Sequence, residues 1–172
     1  MAFVLDPAQT RRWSSALNRL RRKVIIQENE VPMRSSVDYV NRVRMNITTQ
    51  KYSGYYAPYN PRYSTWKNEH FPGSRGYWHL RGFLQMALRP FKVKGGWMGG
   101  VRSEIMVPGS SWFGEGYSGP GISIAQYGRW MEYGRRGQPP RPLFGFTLEE
   151  FKMHGWPKVI SRATRIMKGA WR

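Results

Sequence analysis

The chain is predicted to be α+β, a small antiparallel sheet packed with helices, with long aromatic-rich loops and an amphipathic helix at each end. Apolar residues recur at spacings of three and four near both ends of its 172 residues, which is the helical period. In the middle, two short runs rich in β-branched residues are bounded by glycines, as strands are. No repeat of fixed period and no low-complexity tract interrupts the pattern, so one domain over residues 1–172 is expected.

Taken in order, Asp6 before Pro7 reads as an N-cap followed by a first helical residue. Trp13, Leu17, Leu20 and Val24 then fall at intervals of four, three and four, predicting a helix over residues 7–27 whose other face carries Arg12, Arg19, Arg22 and Lys23. Pro32 is expected to break the chain. Ser35 or Ser36 can then cap a second helix with Val37, Val40, Val43 or Arg44, and Ile47 on one face, ending near Thr49. From Lys51 to Arg75, prolines, asparagines and closely spaced tyrosines predict a long loop, residues 51–75. Such a loop is either contact surface ordered by a partner or folded onto its own core.

Trp78, Leu80, Phe83, Leu84, Ala87 and Leu88 predict a short helix ended by Pro90. Phe91 to Lys94 and Val101 to Val107 read as two strands of a hairpin, with Gly95, Gly96, Gly99 and Gly100 near the turn. Residues 108–121 are too glycine-rich to be regular and predict a second loop, a contact loop or flap bearing Trp112, Phe113 and Tyr117. Ile124, Tyr127, Trp130 and Met131 recur at helical spacing up to Gly134, where a helix would end. Arg135, Arg136 and Arg141 then lie on an arm stiffened by Pro139, Pro140 and Pro142. Arg141 to Phe146 looks strand-like, and Thr147 with Glu150 forms a capping-box pattern. Pro157 opens a C-terminal helix over residues 157–171, with Val159, Ile160, Ala163, Ile166 and Met167 opposite Lys158, Arg162, Arg165 and Lys168.

Composition narrows the chemistry. With no cysteine there is no disulfide framework, thiolate nucleophile or cysteine-based zinc site, which suits a reducing compartment. No apolar run approaches the length that spans a bilayer, and MAFVLDPAQTRRW places its charges after its apolar residues, unlike a secretory signal, so a soluble intracellular protein is expected. The net charge of +18 divides evenly, each third of the chain carrying a net +6, and aromatic residues are interleaved with the charges. The charge therefore belongs to surfaces of a fold, facing DNA, an acidic protein or solvent. His70, His79 and His154 lack ligand-type spacing, GYSGP around Ser118 misses the nucleophile-elbow pattern, and no phosphate-binding glycine loop occurs. No catalytic residue, metal or cofactor is expected.

Two segments carry a resemblance. Met131-Glu132-Tyr133-Gly134, followed by Pro140-Arg141-Pro142-Leu143-Phe144, is one. The other is Tyr56-Ala57-Pro58-Tyr59-Asn60-Pro61-Arg62-Tyr63-Ser64-Thr65-Trp66-Lys67, followed by Leu80-Arg81-Gly82-Phe83-Leu84. Together and in this order they resemble the tail-completion and neck proteins of tailed bacteriophages, the virion-morphogenesis type, over Tyr56 to Phe146. The sequence departs from that pattern at Arg81, where a small hydroxyl residue is usual, and in the 108–121 insert. The resemblance implies a structural virion protein at the head–tail junction, a neck, tail-completion or tail-terminator subunit assembled in the host cytoplasm. It also implies a homo-oligomeric ring, a hexamer or alternatively a dodecamer, touching other neck, connector, sheath or tail-tube proteins, with genomic DNA passing through the lumen. Expected contacts with subunits or partners are Arg135, Arg136 and Arg141 on the arm and Tyr55, Tyr56, Tyr59, Tyr63 and Trp66 in the tyrosine loop. A basic nucleic-acid-binding protein acting independently of a virion is the alternative, and a small hydrolase a third reading.

Overall fold

In a computed structural model, residues 6–70, 82–107, 121–135 and 138–171 are described. The 108–121 loop, with Trp112, Phe113 and Tyr117, falls almost wholly outside them, as do Trp78, Leu80, Arg81 and Arg136.

Helix α1 (Pro7–Thr49) is a single helix of 43 residues. Asp6 caps it as expected, its carboxylate accepting from the Ala8 amide at 3.2 Å. Pro32 lies inside it and does not break it, correcting the expectation of two helices. A proline in a helix interior forfeits one backbone hydrogen bond and costs about 3 kcal/mol. Here the turns beyond it are held by tertiary packing, with Ser35, Ser36, Val40, Val43, Asn46 and Ile47 all buried. Gln50, in the left-handed region at φ 52°, ends the helix by donating its amide to the last carbonyls.

Over its described residues, 51–70, the predicted 51–75 loop is largely structured. A single 3-10 turn (Ser53–Tyr55) leads to α2 (Pro61–His70), and the short α3 (Phe83–Ala87) follows. Gly82, at φ +70°, supplies the positive-φ entry to α3 that a residue with a side chain adopts only with strain. Arg44 on α1 closes the other end of α3, donating to the Gln85 carbonyl at 3.2 Å and the Leu88 carbonyl at 2.5 Å.

The predicted hairpin forms between β1 (Leu88–Val93) and β2 (Gly96–Val101), earlier than Val101 to Val107 suggested. The register runs from Leu88 opposite Val101 to Val93 opposite Gly96, closed by Lys94 and Gly95, the latter at φ +88°. Pro90 sits within β1 instead of ending a helix, which an edge strand tolerates. Met106–Val107 (β3) pairs with Ile122–Ser123 (β4) in a second antiparallel ribbon. The expected α+β class holds: the described residues are mostly helical, with a small antiparallel hairpin.

Helix α4 (Ile124–Tyr133) ends at Gly134, at φ +80°, as predicted. Arg141 to Phe146 is not a strand, because α5 (Phe144–Glu150) begins inside it. It continues through a π-helical turn (Phe151–Gly155) into α6 (Trp156–Trp171), so Pro157 starts no separate helix. The core lies between α1, the β1–β2 hairpin, α3 and α4, around Val40, Val43, Ile47, Leu84, Leu88, Met131 and Leu143.

Candidate subunit-contact site

The two segments that carry the resemblance meet around Arg141. Gly134 turns the chain out of α4, and no other residue fits there, since a Cβ would lie 2.8 Å from the Gln138 carbonyl oxygen. Arg135 and Gln138 then exchange backbone hydrogen bonds at 3.0 and 2.6 Å, and the Arg141 amide returns to the Met131 carbonyl at 2.7 Å. The arm thus doubles back on the helix it left. Arg141 is fully buried. Its guanidinium donates to the carbonyls of Pro139 at 3.3 Å, Ala57 at 3.2 Å and Pro58 at 3.5 Å, and stacks 4.4 Å from the Tyr59 ring centre. The Tyr56 hydroxyl adds a bond to the Pro142 carbonyl at 3.3 Å.

The tyrosine segment folds against this arginine. Tyr59, Tyr63 and Trp66 stack in succession with ring centres 4.9 and 5.5 Å apart, and the buried Lys67 ammonium sits 4.9 Å from the Tyr59 ring. Burial, reinforced by Arg141, pulls the Lys67 ammonium down to about 8. Burial also raises the phenols of Tyr63 and, well above its ordinary value, Tyr127. Arg141 and Tyr56 are therefore corrected from partner contacts to core: the carbonyls of Pro139, Ala57 and Pro58 and the Tyr59 ring enclose the guanidinium, and Tyr56 is buried beside it. Tyr59, Tyr63 and Trp66 are half-buried in the same cluster. Tyr55 and Arg135 remain at the surface, Tyr55 79% exposed and Arg135 stacked 4.0 Å over the Trp130 ring.

Glu132, in the first segment, anchors the next helix. Its carboxylate accepts the amides of Leu143, Phe144 and Gly145 at 2.8, 2.9 and 2.8 Å, serving as the N-terminal cap of α5. Thr147, expected to be that cap, is instead buried mid-helix and accepts from Asn46 Nδ2 at 3.0 Å.

A polar node joins the end of α1 to the end of α5. Glu150 accepts from Lys51 at 2.7 Å, Tyr52 at 2.7 Å and Arg42 at 3.3 Å. Burial by itself would raise this carboxyl, but the Lys51 ammonium and the Tyr52 hydroxyl hold it down at about 2. The Tyr52 phenol is pushed up to about 12, by burial first and by Glu150 second. Beside the node, Tyr52, Tyr55, Phe146, Met153 and the acids Glu149 and Glu150 line a shallow, mainly apolar groove. Phe146 packs edge-on to Tyr52 and Tyr55, with ring centres 5.2 and 5.9 Å away. Phe146 and Met153, unflagged by periodicity, complete with Tyr55 the exposed aromatic face that the tyrosine segment alone was expected to supply.

Among the described residues no group of three or more His, Asp or Glu side chains could hold a metal ion, and no helix is long and apolar enough to cross a membrane. No protein family, curated protein or solved structure matches the chain.

Proposed function

We propose that the chain is a structural subunit of the head–tail junction of a tailed bacteriophage, a neck, tail-completion or tail-terminator protein that assembles into a ring, a hexamer in the simplest case. The observation that carries this reading is the interlock around Arg141. Two segments resemble one family in order, and each supplies what the other needs across 84 or more positions of sequence, Arg141 for the Ala57 carbonyl and Tyr56 for the Pro142 carbonyl.

A ring needs two unlike faces on each copy. The groove of Tyr55, Phe146 and Met153 offers an apolar one, and Arg135 stacked on Trp130 places a cation on another. Light scattering on the chain, alone and with purified connector or tail tube, tests the assembly. Ring-sized particles that form in either condition and are lost in Tyr55→Asp with Phe146→Asp are the expected result. A chain that stays monomeric in both conditions while binding duplex DNA with steep salt dependence would put the nucleic-acid reading first.

A further inference from the structure

The seam along α1 has two halves, and among the described residues only one of them is covered. Trp13, Leu17, Leu20 and Val24 continue without interruption into Gln27, Val31, Arg34 and Asp38, keeping the alternating four-three spacing of a coiled-coil seam throughout. Gln27, Val31, Arg34 and Asp38 line a groove against α6, together with Val159, Arg162 and Ala163. Among the described residues the first half has no such cover. No residue from Pro7 to Glu30 is buried, and Trp13 and Leu17 are 57% and 53% exposed. The more apolar half of the seam is thus the open one.

Charge specifies what can cover it. In the covered half Glu28, Glu30 and Asp38 stand on or beside the seam, Asp38 lining the groove with Lys158 and Arg162 of α6 and Glu30 paired with Arg34 at 2.8 Å, and α6 carries Arg165 and Lys168 as well. In the open half the sign reverses. Arg11, Arg12, Arg19, Arg21, Arg22 and Lys23 surround the stripe with no acid between Pro7 and Gln27. Arg21 and Lys23 fall at the two positions flanking the seam, where Glu28 and Glu30 stand one heptad later.

We infer that the open half of α1 receives an acidic amphipathic helix from a partner protein, which extends the α1–α6 seam with the charges exchanged. A second copy fits poorly, because its own α1 overhang and its α6 would both bring like charge. A membrane surface fits poorly too: Trp13, Leu17, Leu20 and Val24 span about 60° of the helix circumference, narrower than the roughly 100° apolar face of a helix lying on a surface. Nucleic acid would neutralise the arginines and leave Trp13 and Leu17 wet. The inference stands on α1 and its seam with α6 and does not depend on the virion reading.

The probe is a fluorescein-labelled synthetic peptide of four heptads with Leu at the seam positions and Glu at the flanking ones, and a matched peptide has Lys for Glu. Anisotropy against the full chain should give micromolar binding of the acidic peptide, at least about tenfold tighter than the lysine peptide. Leu17→Glu should abolish binding with the helical circular dichroism unchanged. Arg21→Glu with Lys23→Glu should reverse the preference between the peptides. Absent or equal binding of the two peptides, or acidic-peptide binding that Leu17→Glu leaves intact, would overturn the inference. So would Leu17-dependent self-association in sedimentation, or Leu17-dependent binding to phosphatidylserine vesicles or duplex DNA without peptide binding.

Discussion

Arg141 shows how little a residue type says about its place. A cation on a proline-rich arm reads as surface, yet this one is fully buried among backbone carbonyls and a tyrosine ring. Only a planar, multiply donating group fills such a cage, so Arg141→Lys should cost roughly 2–4 kcal/mol in urea unfolding, through lost charge-assisted bonds and lost stacking. An unchanged midpoint would return the arm to the surface. Glu150 sets a pH dependence. Its carboxyl is held at about 2 against an ordinary 4.5, so its contribution is complete above 4.5 and disappears as pH falls towards 2. Thermal melts of Glu150→Gln should fall less steeply across that window than those of the parent chain, and parallel curves would exclude the carboxylate as the cause. The cap at Asp6 and the stop at Gly134 were legible because their partners lie within a few residues. Arg141 was not, since its acceptors are carbonyls of Ala57 and Pro58, which carry no side-chain signature and lie far off in sequence.

At the scale of elements, local rules failed wherever packing outweighed them. Pro32 should end a helix, but the turns after it face the core and residues on both sides of it, from Gln27 to Asp38, line the groove against α6, so the helix runs through. The prolines and tyrosines of the 51–75 segment suggested a loop, and α2 forms there with its Tyr63 and Trp66 stacked in line with Tyr59, the ring that meets Arg141 and Lys67. Thr147 and Glu150 matched a capping box in sequence, while the cap came from Glu132 on another helix. The hairpin was legible from its glycines, though not what Gly99 does. A Cβ at Gly99 would lie 2.9 Å from the Ser36 carbonyl oxygen and 3.0 Å from Tyr39 and Val40, so β2 lies directly on α1. Gly99→Ala should destabilise the fold by about 1–3 kcal/mol by forcing the two apart. Gly100→Ala, which meets nothing within 4 Å, is the control, and equal losses for both would shift the cause to backbone flexibility.

For the whole molecule, α1 is the longest dimension. Its 43 residues run for about 65 Å at 1.5 Å per residue, against a radius of gyration of about 16 Å for a compact chain of this length. The body therefore occupies one end of its own longest helix, and the even spread of charge along the sequence conceals an uneven spread in space, with six cations on the overhang. That asymmetry has a consequence for proteolysis. A protease needs a locally opened strand of backbone, and a helix without tertiary cover opens at far lower cost than one in a core. Trypsin, which cleaves after Arg and Lys, should therefore cut first at Arg11, Arg12, Arg19, Arg21, Arg22 and Lys23 and pause before Arg42 and Arg44. Mass spectrometry of a brief digest would locate the pause, and early cuts at Arg42 or Arg44 would refute the order. The trimmed body should melt as cooperatively as the intact chain. A bound acidic helix would turn the same six bonds from the first to be cut into some of the last, so the rate of clipping reads the occupancy of the overhang without any label.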